Sequence, residues 1–188
     1  MALSVVKRPM TTSELCFFDC QMNTDLGIQF DSPDFVPIAV QRLKERILGL
    51  QLRCEDGWMY HTDDPIDVCE IPKDCNTPKL ATKWVIRNNM PDPRHRLATL
   101  SAGKDCVVVS MNHMIGDGTY LLDTLRDISR DFKPTLPKLP TAPEKTFEKD
   151  IEILKKKGPP SKIYRPEDLT RLFPKEAEPK DKVRHPIE

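Results

Sequence analysis

Apolar residues along the first 130 positions follow strand and helix periods in alternation. Leu26, Ile28 and Phe30 alternate with small or polar residues, which is typical of a half-buried strand. Residues 106–111 are almost uniformly apolar, which predicts a strand that is buried on both faces and central in its sheet. A further set recurs at intervals of three or four, which predicts a helix with one buried face: Val36, Val40, Leu43, Ile47 and Leu50.

Several residues mark where these elements begin or turn. Thr11 and Glu14 fit a capping box at the start of a first helix. Thr77 followed by Pro78 predicts the start of a later helix, and Gly57 lies in the turn of a predicted hairpin. In the helix predicted after residue 117, four apolar residues are expected to face inward: Leu121, Leu122, Leu125 and Ile128.

The order of these elements predicts the fold class and the division of the chain. Strands and helices intermix without a repeat, which favours an α/β fold, a two-layer α+β sandwich in which helices pack on one face of a mixed β-sheet. After residue 132, prolines recur at every third position from Pro134 to Pro143, which is typical of extended chain. We therefore predict a domain over residues 1–132 and a proline-rich crossover or linker tail over residues 133–188.

Composition narrows the classes of partner. The 29 basic and 29 acidic residues cancel without a basic cluster, which argues against nucleic acid as a partner. No apolar run reaches the roughly 20 residues of a membrane span, and the N-terminus lacks a charged leader. We expect a cytoplasmic protein whose six cysteines are reduced core thiols rather than disulfides or zinc ligands.

The candidate chemistry lies where the predicted central strand ends. His113 follows this strand, Asp117 comes four residues later, and Gly118 follows it. One interpretation is a core histidine that pairs with a turn aspartate. A metal site would need three or four ligands, and only one imidazole and one carboxylate lie here. The nucleophile elbow of a Ser–His–Asp hydrolase and a glycine-rich phosphate loop are both missing from the sequence.

A further interpretation is general base catalysis. A neutral imidazole, with an ordinary pKa near 6.5, can take a proton from a hydroxyl, amine or thiol that attacks an activated acyl group such as a thioester. His113 would be the base, and Asp117 would fix the turn and the ring. Gly118 would permit a tight backbone where the next helix begins.

One segment resembles a known family, the chloramphenicol acetyltransferase-like superfamily, through its His-x-x-x-Asp-Gly signature. This superfamily includes nonribosomal peptide condensation domains and alcohol acetyltransferases. Arg8 with Glu14, the hairpin at Gly57 and the strand before the signature strengthen the resemblance, which covers residues 3–132. The signature reads His113, Met114, Ile115, Gly116, Asp117 and Gly118.

The resemblance implies acyl transfer from acyl-CoA or a carrier-protein thioester to an alcohol or amine. His113 is then the catalytic base and Asp117 its structural carboxylate, usually held by an arginine, for which Arg46 and Arg53 are candidates. Asn112 stands where many members have a second histidine and is a possible support. No bound cofactor or metal is implied, because the acyl thioester is a co-substrate.

The resemblance also implies that this chain alone forms only part of the site. Members of the family have two similar halves with the histidine between them, and this sequence matches the N-terminal half. We therefore expect that a C-terminal half, a second chain or a homo-oligomer completes the site. The alternative is a truncated, non-catalytic interaction module of the same fold.

Overall fold

The computed structural model describes residues 6–130 and 135–157 of the 188-residue chain. The chain divides into two units, Met1–Thr146 and Phe147–Glu188. In the second unit the described residues form one helix, Glu148–Lys157. The part of the predicted tail at 158–188 lies outside the described residues.

In the described part of the first unit, seven strands form two sheets. In chain order, β1 to β7 are Lys7–Pro9, Asn23–Gln29, Leu52–Glu55, Trp58–His61, Val68–Glu70, Ala98–Ala102 and Cys106–Asn112. The smaller sheet has the order β1-β4-β3, and the larger sheet has the order β2-β7-β6-β5. The β5–β6 pair is parallel and the other pairs are antiparallel, so the larger sheet is mixed as expected. Strand β7 lies inside this sheet and is buried along its whole length, which confirms the predicted central strand.

Helices cover both faces of the larger sheet. In chain order, α1 to α6 are Thr12–Cys20, Phe35–Arg46, Pro78–Asn88, Gly118–Ser129, Pro143–Thr146 and Glu148–Lys157. Val107 and Val109 of β7 pack with residues of α2 and α4, whereas Val108 packs with Ala81 and Val85 of α3. Successive side chains of a strand point to opposite faces. The α/β class is confirmed, while α3 lies on the face that we expected to be bare.

Local signals in the sequence account for several boundaries. The capping box predicted at α1 forms, with the Thr11 side chain accepting from the Glu14 N–H and the Glu14 carboxylate accepting from the Thr11 N–H. Thr77 caps α3 and Pro78 occupies its first turn. Asp56 and Gly57 have φ angles of 51° and 77°, the left-handed pair that a tight β3–β4 hairpin turn requires.

The inward face of α4 differs from the prediction. Leu121 and Ile128 are buried as expected, but Leu122 is 58% exposed and Thr124 is buried in its place. The Thr124 hydroxyl donates to the Tyr120 carbonyl at 2.9 Å, so burial leaves this hydroxyl satisfied. Within residues 6–130 and 135–157, no helix has the length and apolar character needed to cross a bilayer.

Candidate functional site

His113 continues the central strand by one residue. Strand β7 ends at Asn112, which lies opposite Asn23 of β2. The His113 N–H then donates to the Met22 carbonyl at 2.8 Å, so the backbone of His113 is still held by the neighbouring chain segment. Its side chain is half-buried. The sheet therefore fixes the backbone of the candidate base and leaves part of its imidazole accessible.

The imidazole of His113 rests on an aromatic ring from α1. The Phe17 and His113 ring centroids are 5.2 Å apart and their planes differ by 19°, which is a stacked arrangement. Such contacts favour one ring orientation and contribute about 0.5–1.5 kcal/mol. No sequence pattern distinguishes Phe17 from Phe18 beside it, because the contact depends on where α1 lies against the end of β7.

Asp117 caps the helix that follows the motif. Its Oδ1 accepts hydrogen bonds from the N–H groups of Thr119 at 2.9 Å and Tyr120 at 3.1 Å. The bond from Tyr120 is the main reason why the pKa of Asp117 lies below its ordinary value, and the nearby His113 lowers that pKa further. His113 and Asp117, both described, do not form an ion pair with each other. Asp117 accepts the backbone N–H groups of the turn, whereas Phe17 is the residue that contacts the His113 ring.

Asn112 supports the start of the motif loop from within the core. It is 0% exposed, and its Oδ1 accepts the Met114 N–H at 3.0 Å. Its backbone N–H donates to the Leu97 carbonyl at 2.8 Å. Its Nδ2 atom has no hydrogen-bond partner among the described residues. The amide thus shapes the backbone directly after the histidine.

Residues between His113 and Asp117 pack the loop onto the domain. Met114 is buried and its sulfur lies 3.7 Å from the Cys54 thiol. A Cβ atom on Gly116 would meet the Tyr120 ring at 2.7 to 2.9 Å, so only glycine fits there without displacing that ring. The Tyr120 hydroxyl donates in turn to the Arg46 carbonyl at 3.1 Å, which links the loop to α2.

Gly118 does not have the steric role that we expected. It is the first residue of α4, it is exposed, and a Cβ atom there would meet nothing within 4 Å. Its φ angle is outside the left-handed region. The prediction of a tight backbone at Gly118 is therefore wrong, because the close approach occurs at Gly116, two residues earlier.

The two arginines considered as partners of Asp117 make other contacts. Arg46 is 3% exposed, and its Nη1 donates to the Arg42 carbonyl at 3.0 Å. Arg53 donates to Glu55 at 2.6 Å and lies over the Tyr60 ring. The Asp117 carboxylate instead receives its hydrogen bonds from backbone amides at the N-terminus of α4, where a negative charge is favoured.

The start of α1 is held by a partly buried ion pair. Arg8 contacts the Glu14 carboxylate through both of its terminal nitrogens, at 2.8 and 2.5 Å, and Glu14 is 1% exposed. Arg8 also donates to the Pro140 carbonyl at 2.9 Å. The hydroxyl of Ser13 donates to Glu144 at 2.7 Å. The helix that carries Phe17 is thereby tied to residues 135–146.

Three cavities that are lined by described residues lie away from the histidine. Their volumes are about 330 to 390 Å³, and His113 lines none of these three. One of them lies between α1 and the β3–β4 turn, where Arg94 stands over the Phe18 ring with 5.3 Å between the guanidinium carbon and the ring centroid.

Comparison with known proteins gives structural matches only. No protein-family model and no curated protein matches the chain. The polyketide synthase associated protein 5 from Mycobacterium tuberculosis is similar in fold, with a TM-score of 0.50 and 20% identity, over 79% of this chain and 41% of that one. The condensation domain from the Monacolin K polyketide synthase has a TM-score of 0.50 and 14% identity, over 82% and 41% respectively.

These likenesses establish the fold. The condensation-domain resemblance inferred from the sequence is confirmed at that level, while the link to alcohol acetyltransferases and the role of the motif remain predictions. The chain spans about 41% of the length of each of these two structures. Activity, substrates and partners therefore have to be argued from the residues of this chain.

Proposed function

We propose that this chain carries the catalytic base of an acyltransferase. The acyl donor is acyl-CoA or a carrier-protein thioester, and the acceptor is an alcohol or an amine. One observation carries the proposal: a half-buried imidazole at the end of the central strand, stacked on Phe17 and not ion-paired with Asp117. An imidazole that is not paired with a carboxylate has its ring nitrogens available for an acceptor proton.

In the proposed reaction His113 moves one proton. A ring nitrogen accepts the proton of the acceptor hydroxyl or amine while that oxygen or nitrogen attacks the thioester carbonyl. The carbon–sulfur bond then breaks, the thiolate leaves, and the imidazolium returns the proton to it. Asn112 and Asp117 hold the backbone on either side of the loop, so they act on the position of His113 and not on the substrate.

The proposal is tested by following thiol release and product formation together. Acyl-CoA and an acyl-pantetheine thioester are each offered with alcohols and amines, and the ester or amide is measured by mass spectrometry. We expect His113→Ala to lower the transfer rate by roughly 10²–10⁴-fold, the usual contribution of a general base. His95→Ala is the matched control, because the His95 side chain is 84% exposed, and it should leave the rate unchanged. Equal rates for wild type and His113→Ala would refute the proposal.

A non-catalytic interaction module is the second candidate. It is favoured by one observation, that His113 lines none of the three cavities described. We propose instead that a second half-domain, a second chain or another copy completes the site. Mass in solution and activity on the same sample distinguish these cases. A monomer that transfers acyl groups removes the need for a partner, whereas an oligomer that is inactive with either thioester donor supports the interaction module.

A further inference from the structure

Two thiols lie close together on the surface of α1. We expected all six cysteines to be core residues, and this is wrong for Cys16 and Cys20, which are both exposed. They are four residues apart in the helix Thr12–Cys20, so their side chains leave the same face. The pKa of the Cys20 thiol is raised, and its interaction with Cys16 is the main cause. Both thiols are therefore accessible, and they occupy neighbouring positions on one face of the helix.

Helix geometry decides what can join these sulfurs. Side chains at this spacing have Cβ atoms about 5–6 Å apart. A disulfide needs a Cβ separation of about 3.5–4.5 Å, so direct S–S bonding would require α1 to unwind. A single larger atom placed between the sulfurs spans the wider gap while the helix stays intact. The pair is thus suited to a bridging ligand rather than to oxidation.

The number of ligands restricts the kind of bridging atom. Within the described residues, no group of three or more His, Cys, Asp or Glu side chains is arranged to hold a metal ion. Zinc in structural sites takes four protein ligands, which this surface does not supply. Soft acceptors prefer sulfur ligands. A trivalent arsenical with one organic substituent needs only two thiols and therefore fits.

We propose that Cys16 and Cys20 form a two-thiol binding site for trivalent arsenicals, which bridge the sulfurs across one turn of α1. With phenylarsine oxide, two S–H bonds and the arsenic–oxygen bond break and two As–S bonds form. The oxygen leaves with both protons as water, and no oxidation state changes. Phe17 lies on the same helix three residues before Cys20, so the bridge forms next to the ring that stacks on His113. The site does not depend on the proposed acyl transfer.

The test is intact-mass analysis of the reduced full chain after phenylarsine oxide treatment. We expect one adduct per chain that survives a monothiol wash and is removed by 2,3-dimercaptopropanol. Loss of either thiol should weaken retention by about 10²-fold or more, because the second bond is no longer intramolecular. Cys16→Ser and Cys20→Ser test this loss. The double variant Cys69→Ser/Cys75→Ser, which removes two half-buried thiols elsewhere, should bind like wild type.

A variant with the same number of thiols tests the spacing itself. In Leu15→Cys/Cys16→Ser the helix still carries two thiols, but they are five residues apart and leave different faces. Leu15 is 39% exposed, so the new thiol is accessible. We expect this variant to lose the monothiol-resistant adduct while circular dichroism shows an unchanged helix content. Retention of that adduct here or in either single variant, or its loss in the Cys69/Cys75 variant, would overturn the proposal.

Discussion

At the residue scale, Asp117 and His113 are neighbours with separate contacts. The Asp117 carboxylate receives the Thr119 and Tyr120 amides, whereas the His113 ring stacks on Phe17. A carboxylate that caps a helix stabilises the loop before that helix. The aspartate of the motif therefore acts on the histidine through the backbone.

If Asp117 acts on His113 only through the backbone, two substitutions at Asp117 should give different results. Asp117→Ala removes the cap and should lower both the midpoint of thermal unfolding and the transfer rate. Asp117→Asn keeps a good capping side chain but removes the charge, so it should retain most of the thermal stability and most of the transfer rate.

Hydrogen bonds lower the pKa of Asp117, so its ionised carboxylate stabilises the folded protein above the ordinary value near 3.8. This stabilisation is lost at more acidic pH. An Asn variant that is stable but inactive would show that the charge acts directly on His113.

The sequence was informative about single residues wherever the signal was local. The capping box of Thr11 and Glu14 and the position of His113 at a strand end both follow from near neighbours in the chain. The roles of Phe17 and Gly116 could not be predicted in this way, because each depends on a side chain that is positioned by packing. The hexapeptide has two glycines, and only the fold shows which of them faces Tyr120.

At the element scale, α1 determines where Phe17 stands. The helix begins at a capping box whose Glu14 also pairs with Arg8 of β1. With Glu14 1% exposed, its carboxylate is removed from water and relies on Arg8 and the Thr11 N–H for compensation. The orientation of α1, and so of the Phe17 ring, depends on this pair.

Removing Arg8 should therefore be costly. We expect Arg8→Ala to lower the free energy of unfolding by about 3–5 kcal/mol, because a buried charge is left without its partner. Adding Glu14→Gln should recover part of this loss. Arg126→Ala is the matched control, since Arg126 and Asp123 form an exposed pair 3.0 Å apart, and it should cost about 0–1 kcal/mol. Urea unfolding of the four proteins measures this, and a loss for Arg8→Ala as small as the control would contradict the role given to the pair.

The prediction of which α4 residues are buried was wrong at Leu122. Leu122 was expected inside α4, but the buried positions are Leu121, Thr124 and Ile128. These three repeat at intervals of three and four, as one helix face requires. Hydrophobicity alone favours burial of Leu122 over burial of Thr124. The hydrogen bond from the Thr124 hydroxyl to the Tyr120 carbonyl offsets the cost of removing that hydroxyl from water.

At the scale of the whole first unit, residues 135–146 return to the beginning of the chain. Leu136 and Leu139 pack against the cluster that contains Met114 of the motif loop. Arg8 donates to the Pro140 carbonyl, and Ser13 donates to Glu144 across 131 positions of sequence. Neither contact could be predicted from the proline spacing, which indicates extended chain but not the surface that this chain covers.

Glu144 gives this long-range contact a pH dependence. Desolvation raises its pKa, but hydrogen bonds from Ser13 and Thr11 outweigh that effect and bring the pKa of Glu144 down to about 2. A folded-state pKa below the ordinary value of 4.5 stabilises the folded protein above pH 4.5, and the contribution disappears as the pH falls from 4.5 toward 2. The contact should therefore be at full strength at neutral pH.

We expect Glu144→Gln to lower the free energy of unfolding by about 1 kcal/mol at pH 7, the typical net value of such a hydrogen bond. The difference between the variant and wild type should shrink steadily as the pH falls below 4.5, which urea unfolding at a series of pH values measures. Ser13→Ala supplies the control, because without this donor the Glu144 substitution should cost less and depend less on pH. A difference that stays constant from pH 7 to pH 3 would mean that the ionised carboxylate does not hold residues 135–146 against α1.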